Sequence, residues 1–166
     1  MRPMITSTTI EHVDLLSSKG FEETVKDLTA ELGKASTEQL MDRLSASGSW
    51  AEYTESCAEL AGRSNLIEVG TLNWGKVLSL SGVPMKARCF IVGNPLTAQK
   101  LLATGGPEVG LYLPTKILVF EDEDGACHIS YDRFSPIMSP RGLADLDNVA
   151  SAIDGVLERL ATSAAI

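Results

Sequence analysis

The hydrophobic positions near the start of the chain follow first the period of a strand and then that of a helix. Residues 8–16, TTIEHVDLL, alternate between apolar and polar side chains, which predicts a strand with Val13 and Leu15 on its inner face. From Phe21 onward, apolar residues recur every three or four positions, as they do along one face of an amphipathic helix. Gly33 follows this stripe and is predicted at the C′ position, just after the helix ends.

Residues 36–62 are predicted to form two short helices, because each begins with the pattern of a capping box. Ser36 with Gln39 opens the first helix, and Ser49 with Glu52 opens the second. In a capping box the hydroxyl accepts a hydrogen bond from an N–H group three residues on, and the side chain there reaches back. We expect these two helices to form an appended lobe on the core of the domain.

The pattern then returns to strands. Residues 66–72 and 85–93 are apolar enough for two strands, and residues 94–103 follow at once with a helical pattern. Residues 116–134 are predicted to form a β-hairpin, because two β-rich runs flank Asp124-Gly125. That dipeptide tolerates the positive φ angles of a tight turn.

A single apolar stripe marks the C-terminal segment from Leu146 to Leu160. A small domain can share such a surface with a second copy of itself about a two-fold axis. Together the elements predict one α+β domain over residues 1–166. It is a two-layer sandwich in which helices pack on one face of a mostly antiparallel sheet of about four or five strands.

The charge and the cysteine content of the chain argue against several kinds of partner and site. The chain has 22 acidic and 14 basic side chains, a net charge of -8, and its basic residues are scattered. Such a chain repels nucleic acids and anionic membranes, and no apolar run reaches the roughly 20 residues of a membrane span. Three widely spaced cysteines without a C-x-x-C pair predict neither a disulfide framework nor a zinc site. We therefore expect a cytoplasmic protein without metal or cofactor that binds neither nucleic acid nor membrane.

Residues 93–131, GNPLTAQKLLATGGPEVGLYLPTKILVFEDEDGACHISY, resemble the domain-of-unknown-function 302 family of small bacterial and archaeal proteins. The features that carry the resemblance are the GNP junction, the GLYLP turn and the VFEDEDG…SY hairpin. With its weaker parts it covers residues 8–34 and 66–160. The resemblance implies a compact sandwich of helices on one sheet, paired as a homodimer, with no established activity. Residues 36–62 are then interpreted as an insertion relative to the family.

The junction Gly93-Asn94-Pro95 has two interpretations. A helix N-terminus presents N–H groups and a partial positive charge, so this one could bind a carboxylate or a phosphate, with Gly93 allowing a close approach. Alternatively, Asn94 and Pro95 only begin a helix, because Asn is a favoured N-cap and Pro a favoured first residue. No second glycine or lysine follows to make a P-loop.

The end of the hairpin, Tyr131-Asp132-Arg133, places an acid, a base and a cation within three residues. On a strand, Tyr131 and Arg133 share a face and Asp132 lies on the other. Tyr131 or Asp132 would serve as the acid or base, and Arg133 would stabilise a developing negative charge. The alternative is that Tyr131 belongs to the core while the other two are solvated.

Four residues near the predicted lobe suggest a pocket. Trp50 and Tyr53 lie in the second predicted helix, and Asn73 and Trp74 follow a predicted strand, in a chain with only 5% aromatic residues. If the lobe folds over the sheet, these residues would wall a small-molecule cleft. Otherwise the two tryptophans seal the lobe to the body of the domain.

Three hypotheses of function follow. The first is a domain that binds a small acidic or carbonyl-bearing molecule near Asn94, Tyr131 and Trp74. The second is a metal-independent enzyme, an isomerase, cyclase or lyase, that uses Tyr131, Asp132 and Arg133 for proton transfer. The third is a non-catalytic interaction module whose noted junctions are all structural.

Overall fold

A six-stranded sheet forms the centre of the protein, for which a computed structural model describes residue 5 and residues 7–166. The strands in chain order are β1 (His12–Leu16), β2 (Gly33–Lys34), β3 (Ile67–Leu72), β4 (Ala87–Gly93), β5 (Thr115–Glu121) and β6 (Cys127–Asp132). Across the sheet their order is β1-β6-β5-β4-β3-β2. All neighbours are antiparallel except β2 and β3, which are parallel. The mostly antiparallel α+β sandwich is therefore confirmed, and the short β2 is the strand that the apolar pattern did not predict.

Seven α-helices are present in the described part of the chain. They are α1 (Phe21–Glu31), α2 (Thr37–Ala46), α3 (Trp50–Ala58), α4 (Trp74–Ser79), α5 (Pro95–Gly105), α6 (Ser135–Met138) and α7 (Ala144–Ala165). Two short 3-10 helices, Pro107–Tyr112 and Ser139–Arg141, complete the helical structure. None of the helices among the described residues has the length and apolar character that a bilayer crossing needs.

Helices α1 and α7 bury their apolar faces against the same side of the sheet. Leu28 from α1 and Leu157 from α7 are fully buried in a cluster with Phe90, Ile117 and Ile129 from the strands. The C-terminal stripe predicted from the sequence contributes to this face through Leu160, and Leu146 of the same stripe is also buried. Val149, Ile153 and Val156 of the stripe are half-buried, and the expectation that the stripe offers a surface to a second copy stays a prediction.

Helices α2 and α3 form the predicted lobe. At α2 the capping box is complete, because the Ser36 hydroxyl accepts from the Gln39 N–H group and the Gln39 side chain accepts from the Ser36 N–H group. At α3 the box is half formed. The Ser49 hydroxyl accepts from the Glu52 N–H group, but the Glu52 carboxylate accepts from the N–H group of Gly48, 2.7 Å away.

Gly33 lies at the predicted C′ position, directly after the C-cap residue Leu32, but its φ angle is not positive. Helix α1 ends at Glu31, Leu32 is already extended, and Gly33 is the first residue of β2. A Cβ atom on Gly33 would lie 1.8 Å from the carbonyl oxygen of Leu60. Gly33 is thus required for a close approach of two backbone segments and does not adopt the left-handed conformation of a helix end.

The predicted hairpin is present as β5 and β6. Its turn is closed by a hydrogen bond from the Asp122 N–H group to the carbonyl oxygen of Ala126, 2.9 Å away. Gly125 has a φ angle of 81°, as the Asp-Gly signal requires. The hairpin brings Tyr131 opposite Ile117 in the centre of the sheet.

Candidate functional site

The junction between β4 and α5 is a complete helix cap. Strand β4 ends at Gly93, Asn94 is extended, and α5 begins at Pro95. The Oδ1 atom of Asn94 accepts a hydrogen bond from the Leu96 N–H group at 2.9 Å, and the Asn94 carbonyl oxygen accepts from Ala98 N–H at 2.9 Å. The capping role that the sequence allowed for Asn94 is therefore realised.

The side-chain amide of Asn94 has a second role that the sequence did not reveal. Its Nδ2 group donates to the carbonyl oxygen of Asn65 at 2.8 Å and lies 3.3 Å from the Asn65 Oδ1 atom. Asn65 itself has a φ angle of 62°, in the left-handed region. With 7% exposure, Asn94 is a buried connection between two loops, and its amide is not directed at an incoming ligand.

An apolar cavity of about 220 Å³ opens beside this junction, and we call it the junction cleft. Leu66, Val92 and Leu157 in its wall belong to the core between the sheet and α1 and α7. The remaining wall residues are Thr37, Leu40, Val69, Gly93, Asn94, Pro95, Thr97, Ala98, Leu101, Leu113, Pro114, Thr115, Phe134 and Ile153. None of these residues carries a charge, so the cleft has an apolar wall with a few neutral polar groups.

The junction cleft lies where three buried apolar clusters meet. Leu101 and Phe134 belong to the cluster between α5, α6 and α7, and Leu40 belongs to the cluster between α2 and β3. The lobe therefore contributes a wall to the cleft through Thr37 and Leu40 of α2. Gly93 also lines the cleft, and a Cβ atom there would come within 3.2 Å of the Cβ atom of Pro114.

The aromatic residues predicted to wall a pocket are not among the lining residues of the junction cleft. Trp50 on α3 is 52% exposed, and its ring lies 5.9 Å from that of Tyr53. Tyr53 is buried, and this burial, together with a hydrogen bond to Cys57, raises the pKa of Tyr53 to about 12. At neutral pH the Tyr53 phenol is therefore a fixed neutral group inside the lobe.

Asn73 and Trp74 lie at the other end of β4 from the junction. Leu72, the preceding residue, pairs with Cys89 near the beginning of β4, whereas Gly93 is the last residue of that strand. The Asn73 side chain caps α4 by accepting a hydrogen bond from the Lys76 N–H group at 2.8 Å. The fold thus separates Asn73 and Trp74 from Asn94, and the ligand site predicted from these residues together is not assembled.

Tyr131, Asp132 and Arg133 do not converge on one cavity. Tyr131 is 4% exposed in the core, where burial raises its pKa and the carboxylates of Glu158 and Asp154 raise it further. Asp132 accepts a hydrogen bond from His12 at 2.9 Å on the other face of the sheet. The predicted acid, base and cation are therefore distributed over two faces.

Arg133 belongs to a polar cluster around the buried carboxylate of Asp154, which the sequence did not predict. Its guanidinium lies 3.5 Å from the carboxylate of Asp154 on α7, and it also pairs with Glu11 at 2.9 Å. The Asp154 carboxylate accepts from the Phe134 N–H group at 2.5 Å and from the Ser135 N–H group at 3.1 Å. Asp154 therefore fixes the chain after β6 against α7.

His128 is held between two carboxylates. Its Nδ1 atom lies 2.8 Å from Asp14 on β1, and its Nε2 atom lies 3.1 Å from Asp122 in the hairpin. The hydrogen bond to Asp14 raises the pKa of His128, and that to Asp122 adds to the effect. Across residue 5 and residues 7–166, no group of three or more His, Cys, Asp or Glu side chains is arranged to hold a metal ion.

The three cysteines, Cys57, Cys89 and Cys127, are buried and free. Burial raises the pKa of the Cys89 and Cys127 thiols. Because the thiolate is the reactive form, these side chains act as small apolar groups in the sheet.

Comparison with known proteins gives the family of the chain. The crystal structure of an uncharacterized conserved DUF302 protein from Bacillus stearothermophilus superposes on this fold with a TM-score of 0.63. The match covers 92% of this chain and 96% of that one at 18% sequence identity, and so shows a shared fold. No curated protein matches the chain.

The sequence model for the domain of unknown function DUF302 matches residues 41–162, which run from α2 into α7. The strand β1 and helix α1 lie before the matched range. The interpretation of residues 36–62 as an insertion relative to the family stays a prediction. Because the match spans most of its length, this chain belongs to the DUF302 family.

Proposed function

We propose that this protein is a small-molecule-binding domain and that its ligand occupies the junction cleft. The observation that carries the proposal is an apolar cavity of about 220 Å³ where three buried clusters meet. Small-molecule sites are concave and mostly apolar, with a few polar groups that fix the orientation of the ligand. The junction cleft combines these features.

The size and wall of the cleft suit a small and mostly apolar molecule. In another protein, an engineered apolar cavity of about 150 Å³ stays dry and binds benzene. The junction cleft is larger, so it can accept a single ring or a short chain with a substituent. Burial of such a body against aliphatic side chains stabilises the complex by about 25 cal/mol for each Å² of apolar surface removed from water.

The neutral polar groups of the wall favour a carbonyl group on this ligand. The Asn94 amide is already bonded to Leu96 and Asn65. The hydroxyl groups of Thr97 and Thr115 are the next polar groups of the wall, and a hydroxyl can donate a hydrogen bond to a carbonyl oxygen. Because no charged residue lines the cleft, an ionised group would lose its hydration there without compensation.

The test is binding of acetophenone and 2-heptanone, two neutral carbonyl compounds, followed by ligand-observed NMR and by thermal unfolding. We expect both to bind the unmodified protein and to raise its melting temperature, because a ligand that binds only the folded state stabilises it by mass action. In the Ala98→Leu variant the larger side chain fills the cleft, so binding is lost.

The control is Ala103→Leu, the same change on an exposed position of the same helix α5, which leaves binding intact. Failure of both compounds to bind the unmodified protein contradicts the proposal. So does binding that survives in a folded Ala98→Leu variant.

The geometry gives the enzyme hypothesis no comparable support. A proton-transfer site needs its acid, its base and its charge-stabilising group within reach of one substrate. Tyr131 is buried in the core, whereas Asp132 pairs with His12 on the opposite face of the sheet.

A further inference from the structure

A second cavity, of about 370 Å³, adjoins the junction cleft, and we call it the polar groove. Leu66, Thr97 and Ile153 line both cavities. The other lining residues of the polar groove are Ser64, Asn65, Lys100, Asn148, Val149, Ala152 and Val156. The two cavities thus meet at three shared side chains, one from the loop before β3, one from α5 and one from α7.

The face of α5 that lines the two cavities changes from apolar to charged. Ala98 and Leu101 line the junction cleft, Thr97 lines both cavities, and Lys100 lines the polar groove. Residues three or four positions apart lie on the same face of a helix, so Thr97, Lys100 and Leu101 form a continuous surface. A ligand that lies along this surface would have its apolar end at Leu101 and its polar end at Lys100.

Lys100 is the single charged residue among those that line the two cavities. None of the ion pairs formed within the described part of the chain involves it. The chain as a whole carries a net charge of -8, so this cation is not part of a general basic surface. Asn65 and Asn148 line the same groove and add amide groups that can donate hydrogen bonds.

We propose that the ligand of this domain is a small amphipathic carboxylate, with its apolar body in the junction cleft and its carboxylate in the polar groove at Lys100. The inference rests on the proposed function, because it assumes that the cleft holds the body of the ligand. A lysine ammonium group with neighbouring amides matches a singly charged carboxylate, which accepts several hydrogen bonds but carries only one charge.

The experiment compares two ligands of nearly equal shape, 3-phenylpropanoate and 3-phenylpropanamide, by isothermal titration calorimetry. We expect the carboxylate to bind about fivefold more tightly than the amide, the upper range for an exposed ion pair. The Lys100→Gln variant brings the two affinities together, whereas Lys100→Arg keeps the preference. Raising the salt concentration reduces the preference, because the lysine is exposed and its charge is screened.

Lys116→Gln is the control, because Lys116 is also exposed but lines neither cavity, and it leaves the preference unchanged. Equal binding of the two ligands to the unmodified protein overturns this inference while the proposed function stands. A preference for the carboxylate that persists in Lys100→Gln also overturns it. If neither ligand binds, the inference falls, and the binding of acetophenone then decides separately whether the proposed function falls with it.

Discussion

Asn94 donates a hydrogen bond from its Nδ2 group to the carbonyl oxygen of Asn65, 2.8 Å away, and so joins the start of α5 to the loop before β3. The Oδ1 atom of the same side chain caps the helix at Leu96. The two joined segments supply Leu66 and Thr97, which line both cavities. One buried amide therefore holds the two sides of the binding region in position.

Replacement of Asn94 by serine should reduce stability, although serine is as good an N-cap as asparagine. The hydroxyl of Asn94→Ser can still accept a hydrogen bond from the Leu96 N–H group, but it does not replace the hydrogen bond donated to Asn65. Loss of that bond should lower the free energy of unfolding by about 0.5–1.5 kcal/mol. Asn94→Ala also loses the cap, a further cost of about 0.5–2 kcal/mol. In urea unfolding, the unmodified protein should be the most stable, followed by Asn94→Ser and then by Asn94→Ala. The control is Asn73→Ser at the exposed cap of α4, which should be almost silent, and an equally silent Asn94→Ser would refute the argument.

Gly33 and Gly62 should both resist replacement by alanine. Their N–H groups donate to the same carbonyl oxygen, that of Leu66, at 2.9 and 3.0 Å. A Cβ atom on Gly62 would lie 2.3 Å from the backbone nitrogen of Gly33. Because backbone atoms cannot move aside cheaply, each alanine should cost about 3 kcal/mol in the free energy of unfolding, the upper end of the usual range for overpacking.

The control for this prediction is Gly70→Ala. A Cβ atom at Gly70 would make an ordinary contact of 3.7 Å with Ile91. Its urea midpoint should therefore move much less than the midpoints of Gly33→Ala and Gly62→Ala. Similar midpoints for all three variants would mean that the close approach of Gly33 and Gly62 has no energetic role.

The parts of the fold that the sequence predicted are those with a local signal of sufficient length. The periodic spacing of apolar residues predicted five strands and the main helices, and the capping residues predicted the start of α2 at Ser36. Strand β2 has two residues and therefore no period, so it was missed. The position of Gly33 after α1 was predicted, but its close approach to Leu60 was not, because that residue is distant in the chain.

The candidate site was predictable only where neighbours in sequence are neighbours in space. The cap at Asn94 depends on Leu96, two residues on, and the GNP pattern indicates it. The bond from Asn94 to Asn65 and the cleft itself depend on segments that meet only in the folded chain. Trp50 and Trp74 were predicted to wall a pocket because they are aromatic. The type of a residue alone does not indicate which side chains share a cavity.

The homodimer implied by the family resemblance stays a prediction. Leu146 and Leu160 of the α7 stripe are buried, so less of this stripe is free for a two-fold interface than the sequence suggested. Large apolar side chains such as Val77 and Leu80 on or beside α4 are exposed, and exposed apolar patches commonly mark interfaces. Light scattering over a range of micromolar concentrations should give twice the 17.7 kDa mass of one chain. A monomer mass at every concentration would contradict this.

Asp154→Asn should destabilise the protein by about 1–3 kcal/mol, because buried backbone donors lose a charged acceptor. The Asp154 carboxylate accepts from the N–H groups of Phe134 and Ser135 and lies beside Arg133. Glu158→Gln makes the same chemical change one turn further along α7, at an exposed position, and should be nearly neutral. Chemical unfolding measures both, and an Asp154→Asn variant as stable as Glu158→Gln would show that the carboxylate is dispensable.

The pair formed by His128 and Asp14 should make stability fall as the pH rises through the neutral range. Because the pKa of His128 is raised in the folded state, its contribution is complete below the ordinary value of 6.5 and is lost as the pH passes the raised folded value. NMR titration should give a His128 pKa above 6.5, and unfolding experiments from about pH 6 to about pH 9 should follow the loss.

Asp14→Asn removes the largest cause of this shift, so it should lower the pKa of His128 and flatten the dependence of stability on pH. The control is Asp132→Asn, because Asp132 bonds to His12 on the same pair of strands and not to His128. It should leave the titration of His128 unchanged. A His128 that titrates at its ordinary pKa in the unmodified protein, or whose pKa is insensitive to Asp14→Asn, would show that the carboxylate at 2.8 Å does not stabilise the imidazolium.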